Sequence, residues 1–127
     1  MADLEKARAM RRAMLGDAYV DAQVTDPEPT GREFQDYLTG MAWGVWAREG
    51  ALSPRDRSLA VLAMTAAMGR MEEFRIHLDA QPQTGVTDAE VDELVFQIAA
   101  YCGAPAGLSA RRVVKAARAD RAAAAGG

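Results

Sequence analysis

Residues 53–70 read Ser53-Pro54-Arg55-Asp56-Arg57-Ser58-Leu59-Ala60-Val61-Leu62-Ala63-Met64-Thr65-Ala66-Ala67-Met68-Gly69-Arg70, and the middle of this stretch decides the fold class. From Leu59 to Met68 the chain is apolar nearly all round a helical wheel, which marks a helix enclosed by other elements or by other subunits. Its ends carry helix punctuation. Ser53 can cap it, Pro54 suits the first helical position, Asp56 in the first turn favours the dipole, and Gly69 is a common terminator. The apolar run is far below the roughly 20 residues that a membrane span requires.

Working outward, every other segment also reads as helix or turn, and none shows sustained period-2 alternation. Residues from about 3 to 20 form a moderately amphipathic helix. The stretch Thr25-Asp26-Pro27-Glu28-Pro29-Thr30-Gly31 is a turn, because its prolines block helix continuation. A helix over about 32–48 follows, on which Phe34, Tyr37, Leu38, Met41 and Val45 share one face while Trp43 lies opposite and Trp46 at the flank. Burial on both sides is the expectation. Beyond Arg70 a short helix over about 71–80 breaks near Pro82 and Gly85. Thr87-Asp88-Ala89-Glu90 is a capping box that opens an amphipathic helix through Val91, Leu94, Val95 and Ile98. That helix closes at Cys102-Gly103, and a last one runs from Pro105 to about residue 120. The expectation is an all-α chain of about six helices, with residues 1–122 as one domain and 123–127 as a flexible tail.

Composition agrees. The chain has 127 residues, too few for two ordinary domains, and 27 of them are Ala against two Ile and three Phe. Ala buries little area, so the core of one chain is thin and partner subunits are expected. A formal charge of -3, with acidic and basic residues interspersed, speaks against a nucleic-acid surface and weakens a helix-turn-helix regulator. One Cys and one His exclude an intrachain disulfide, a Cys-x-x-Cys pair and a multi-His metal centre. The charged start of the chain lacks the apolar core of a secretion signal, so a soluble, cytoplasmic protein is expected.

Chemistry concentrates around the lone histidine. Arg70, Glu73, Phe74 and His77 fall at offsets of three, four and seven, on one side of a helix. From spacing alone His77 reads as a core histidine. Glu73 four residues before it could orient the imidazole and raise its pKa, giving a proton donor near neutral pH, or could be a surface pair of small worth. Arg55, Arg57 and Arg48 can pair with acidic neighbours or grip a substrate carboxylate with two donors. Tyr101 and Cys102, ending an apolar helix, read as a packed ring and an inert buried thiol.

Four segments together resemble the 4-carboxymuconolactone decarboxylase family. They are Gly40-Met41-Ala42-Trp43-Gly44-Val45-Trp46-Ala47-Arg48-Glu49-Gly50-Ala51-Leu52, Arg55-Asp56-Arg57-Ser58-Leu59, Gly69-Arg70-Met71-Glu72-Glu73-Phe74-Arg75-Ile76-His77 and Ala100-Tyr101-Cys102-Gly103-Ala104-Pro105-Ala106. The opening Arg11-Arg12-Ala13-Met14-Leu15-Gly16-Asp17 is similar too, so the likeness covers about residues 8–115. It implies the helical fold of the alkylhydroperoxidase D superfamily, assembled as a homo-oligomer, with a hexamer built as a trimer of dimers expected. In the peroxidase branch of that superfamily a Cys-x-x-Cys-x-x-x-His motif carries redox chemistry. Aligned on His77, this chain has Arg70 and Glu73 where the thiols would be, which argues against peroxidase activity.

The resemblance implies a carboxy-lyase that needs no cofactor or metal. Its small-molecule substrate is a carboxylated lactone, 4-carboxymuconolactone, converted to β-ketoadipate enol-lactone in the protocatechuate branch of aromatic degradation. The expected roles are His77 as proton donor, Glu73 as its orienter and Arg70 as carboxylate or enolate partner. Arg57 and Arg48 are candidate carboxylate binders, and Trp43, Trp46 and Tyr101 candidate walls. Two departures bear on the substrate: Arg48-Glu49-Gly50-Ala51-Leu52 replaces the family's usual Arg-Pro-Gly-Leu, and Pro82 should shorten the helix after His77. A family member acting on another lactone or keto acid, and a non-catalytic helical oligomer binding a small acid, are the alternatives.

Overall fold

The computed structural model describes residues 3–126, and all regular structure among them is helical. The helices are more numerous than the six expected. They fall into two compact units, one ending at Pro54 and the other beginning at Arg55.

In the first unit, α1 (Leu4–Leu15) starts where the Asp3 carboxylate accepts from the amides of Glu5 and Lys6. It stops at Gly16, whose φ of 89° is cheap only for glycine. The single helix expected over 3–20 is therefore two, and α2 (Asp17–Val24) follows. After the proline turn, α3 (Pro29–Leu38) runs into a π-helical turn (Thr39–Trp43) and one last turn, α4 (Gly44–Trp46).

Burial on both sides was expected for this segment, and within the chain only one side is buried. Phe34, Tyr37, Met41 and Val45 are all exposed, while Thr39, Trp43 and Trp46 are buried. The stripe is thus left outside. The inward side is held instead by the two indole rings, 4.7 Å apart between centroids and tilted by 31°, and by Arg11. That buried guanidinium donates to Gln35 Oε1 at 2.9 Å and Thr39 Oγ1 at 3.0 Å, and desolvation lowers its pKa from the usual arginine value.

In the second unit, α5 (Pro54–Ala67) supplies Leu62 and Ala66, and α6 (Met71–Asp79) supplies Phe74 and Leu78. Val86 follows the short α7 (Gln81–Thr84), α8 (Asp88–Cys102) adds Val91 and Ile98, and α9 (Ala104–Gly126) adds Ala110 and Val114. Pro82 does end the helix after His77: α6 stops at Asp79 and Pro82 sits in the first turn of α7. The capping box is formed as read, with the Glu90 amide donating to Thr87 Oγ1 at 3.1 Å and the Thr87 amide to Glu90 Oε1 at 2.9 Å. Helices α8 and α9 lie close because Gly107 has no side chain; a Cβ there would sit 2.6 Å from the Ala99 Cβ. Arginines then tie the unit together. Arg118 reaches Asp92 at 2.9 Å, Arg121 reaches Asp88 at 2.7 Å, and Arg75 bridges Asp79 and Asp120. Residues 123–126 of the expected tail continue α9, and Gly127 lies outside the described residues. No described helix is long and apolar enough to cross a membrane.

Candidate functional site

Five of the eight residues singled out in the sequence lie in the second unit. His77 occupies α6 beside the fully buried Phe74 and the buried Leu78, and is itself half-buried. Burial alone pushes its imidazole down from 6.5 to about 4. The cationic form loses more hydration than the neutral form when water is removed, so His77 is uncharged at neutral pH. The expectation that Glu73 would raise this pKa is corrected here. Glu73 is exposed in the first turn of α6 and makes no hydrogen bond or ion pair among the described residues.

Arg70 is also placed differently. It caps α6 from a non-helical conformation (φ -87°, ψ 71°), with its amide donating to the Thr65 carbonyl at 2.8 Å. The helical-face argument that grouped it with His77 therefore stops at Glu73, and the Arg70 side chain is exposed.

The two arginines at the start of α5 have separate fates. Arg55 is structural: its guanidinium pairs with Glu90, the same carboxylate that closes the α8 capping box, and lies near Asp56. Arg57 is half-buried, and its Nε is enclosed without a hydrogen-bond partner. Immediately after it, Ser58 is 0% exposed and its Oγ is likewise enclosed without a partner. Sequence reasoning passed over Ser58 as part of a common motif. Its one visible signal was a hydroxyl opening the buried face of an otherwise apolar helix.

Tyr101 and Cys102 depart from expectation. Tyr101 is 86% exposed and Cys102 is exposed too. Both border a cleft of about 400 Å³ between α5 and α8, floored by Leu59, Ala60, Ala63, Leu94 and Ile98. The remaining candidates lie in the first unit. Trp43 and Trp46 pack on each other, and exposed Arg48 borders a cleft of about 600 Å³ that Lys6, Met41 and Val45 also line. No group of three or more His, Cys, Asp or Glu among the described residues could hold a metal ion.

In chemical terms, the second unit offers a neutral imidazole and two enclosed donors, one on a permanent cation. An imidazole of this kind is a titratable nitrogen in a dry setting, and a guanidinium is a group that can hold a carboxylate. The family model for the carboxymuconolactone decarboxylase family matches residues 32–116. The chain belongs to this family. A 4-carboxymuconolactone decarboxylase from Acinetobacter baylyi is 35% identical over 107 residues, covering 84% of this chain and 79% of that protein. A nitrosuccinic acid decarboxylase from Metarhizium robertsii is 34% identical over 107 residues, covering 84% of this chain and 74% of its own. No solved structure matches significantly. Family and relatives together put the chain among the carboxy-lyases.

Proposed function

We propose that the protein removes CO₂ from 4-carboxymuconolactone without a cofactor, giving β-ketoadipate enol-lactone in the protocatechuate branch of aromatic degradation. The observation that carries this reading is the 35% identity to a decarboxylase of that name along 79% of its length. The family match also runs across the Pro54–Arg55 boundary, which supports treating residues 1–122 as one functional domain, in a cytoplasmic enzyme.

The chemistry asks little beyond what the chain carries. When the carbon–carboxylate bond breaks, its electron pair enters the ring and is held on the conjugated lactone carbonyl as a dienolate, so the substrate is its own electron sink. The protein must hold the molecule, place the leaving carboxylate in a dry setting and return a proton to carbon. Within the second unit, Arg57 and Arg70 are the proposed carboxylate partners and Tyr101 a proposed apolar wall.

His77 is the proposed proton donor. Its burial keeps the ring neutral in the free protein, but a substrate bearing two carboxylates favours the imidazolium when it binds nearby. The ring then gains its proton along with the substrate and delivers it to carbon, and Glu73, one helical turn away, can meet the charged ring by rotating its side chain. His77→Ala should lower turnover, followed by the ultraviolet absorbance of the lactone, by about 10²-fold or more. A rate within about threefold of wild type would exclude the role.

A second reading, decarboxylation of a different small acid, is favoured by the near-equal identity of the nitrosuccinic acid decarboxylase. Both chemistries need an acceptor that takes up the electron pair left by CO₂, a lactone carbonyl reached through the ring double bond in one and a nitro group on the same carbon in the other. Assaying both acids with one preparation separates the readings, and turnover of neither by folded protein would favour a non-catalytic binder.

We also propose a homo-oligomer, a hexamer built as a trimer of dimers. Phe34, Tyr37, Met41 and Val45 in the first unit, and Met64, Met68, Phe96 and Leu108 in the second, are exposed. That is more large apolar surface than a 13.6 kDa monomer usually leaves in water.

A further inference from the structure

We propose that the first unit holds a binding site for a small dicarboxylic acid, in the cleft bordered by Lys6 and Arg48. This goes beyond the decarboxylase reading and does not depend on it. The other basic residues of the unit already have partners. Arg8 reaches Asp36, Arg12 reaches Asp21, Arg11 donates to Gln35 and Thr39, and Arg32 donates to the carbonyls of Asp26 and Pro27. The Lys6 and Arg48 side chains make no hydrogen bond or ion pair among the described residues. One exposed cation without a partner is ordinary. Here both border a single cleft of about 600 Å³, Lys6 from α1 and Arg48 from just beyond α4, a volume within the range of roughly 300–1,000 Å³ common to small-molecule sites.

The lining of the cleft points the same way. Gly40 contributes to it from the π-helical turn, with helical backbone and no positive φ. A Cβ at this position would meet nothing closer than Leu4 Cδ1 at 3.8 Å. Alanine would therefore pack there and favour the helix more. What glycine supplies is room. Met41 and Val45, both exposed, add apolar surface to the same cleft. Asp3 lies at its edge, but its carboxylate is turned onto the amides of Glu5 and Lys6 as the cap of α1. A guanidinium and an ammonium on two different elements suit an anion with two charged ends, and the apolar lining suits a carbon body between those ends. Inorganic phosphate would supply the charge without the body.

Adipate, a six-carbon diacid, is the probe. Calorimetry at low ionic strength should give a Kd of about 1 mM or tighter for wild type. Hexanoate, with one carboxylate, should bind at least about tenfold more weakly, and inorganic phosphate no better than hexanoate. Lys6→Gln and Arg48→Gln should each weaken adipate by about tenfold and leave the melting temperature unchanged, since neither side chain holds the fold. Gly40→Ala should melt at or above the wild-type temperature, and Gly40→Leu, with both cations in place, should weaken adipate by filling the cleft. Homocitrate γ-lactone, which carries the acetate and carboxylate arms of 4-carboxymuconolactone on a saturated ring, identifies the source of the acid. Its displacement of adipate would uphold the site as one that admits the lactone itself, and adipate binding that it does not disturb would uphold it as a site for open-chain diacids. Adipate binding unchanged in either charge variant would overturn the inference. So would phosphate binding as tight as adipate, or no adipate binding by wild type at about 50 mM.

Discussion

Replacing His77 with Gln should make the fold less sensitive to acid, because the free energy that holds this imidazole neutral is drawn from folding. In the unfolded chain the ring takes its ordinary value of 6.5, and in the folded chain burial lowers it to about 4. Between these values the unfolded state binds a proton that the folded state refuses, so stability is intact above about pH 6.5 and falls as pH drops toward 4. At 1.36 kcal/mol per pKa unit, the penalty comes to about 2 kcal/mol at pH 5 and about 3 kcal/mol by pH 4. Against a total of ~5–15 kcal/mol for a small protein, that is a large share. The assay is urea unfolding at fixed protein concentration, followed by circular dichroism at several pH values from about 7.5 to 4. Carboxylates titrate in both proteins and cancel in the comparison. Wild type should lose about 2 kcal/mol more than His77→Gln between pH 7.5 and 5. Parallel stability curves, agreeing within about 0.5 kcal/mol across that range, would show that burial does not suppress protonation of His77. The proton would then already be on the ring, and substrate-linked proton uptake would not be needed.

Three further outcomes follow from the packing and the proposed chemistry. Calorimetric binding of homocitrate γ-lactone in buffers of different ionisation enthalpy should reveal close to one proton taken up near pH 7 by wild type and none by His77→Gln; equal uptake would move the proton to another group. Gly107→Val should cost more than about 1–3 kcal/mol in urea unfolding, because even its Cβ meets Ala99 at 2.6 Å and helices α8 and α9 must separate. Thr87→Ala should cost about 1 kcal/mol by breaking the capping box while leaving lactone turnover unchanged, and a neutral result would mean that the first turn of α8 is held by the Arg55–Glu90 pair instead.

The fold class was legible because punctuation is local. Pro54, the Thr87–Glu90 box, Pro82 and Gly103 act on their own backbone neighbours, and each element they mark appears near where the sequence put it. The break at Gly16 was missed because the residue gives little warning of a positive φ until the backbone is seen. Over 32–48 burial was expected on both sides, and within the single chain only one side is buried. A helical wheel shows which side chains travel together but not which side meets the rest of the chain, and the larger stripe stayed outside. Site residues were least legible. Spacing placed Glu73 under His77 but could not report that Glu73 stays in water, and the burial that sets the His77 charge comes from chain neighbours and from packing that no spacing reveals.

That burial also bears on why the site is arranged as it is. A second unit selected for stability alone would have Ala at position 58, amid a helix already rich in Ala, and an apolar residue in place of a half-buried imidazole that titrates near 4. Elsewhere the same unit satisfies its arginines carefully: Arg55, Arg75, Arg118 and Arg121 all reach carboxylates. The costly groups are therefore not the result of a loosely built unit. They are confined to α5 and α6, and they share one deficiency, in that each is improved by the arrival of negative charge. On the proposed function, a dianionic substrate bound beside His77 would draw a proton onto the ring. Binding energy would then supply the proton that the dienolate requires, with the acid formed only in the presence of an anion to use it. The free protein keeps an uncharged ring and gives up stability for it, which is why a substitution that stabilises position 77 should be one that costs activity.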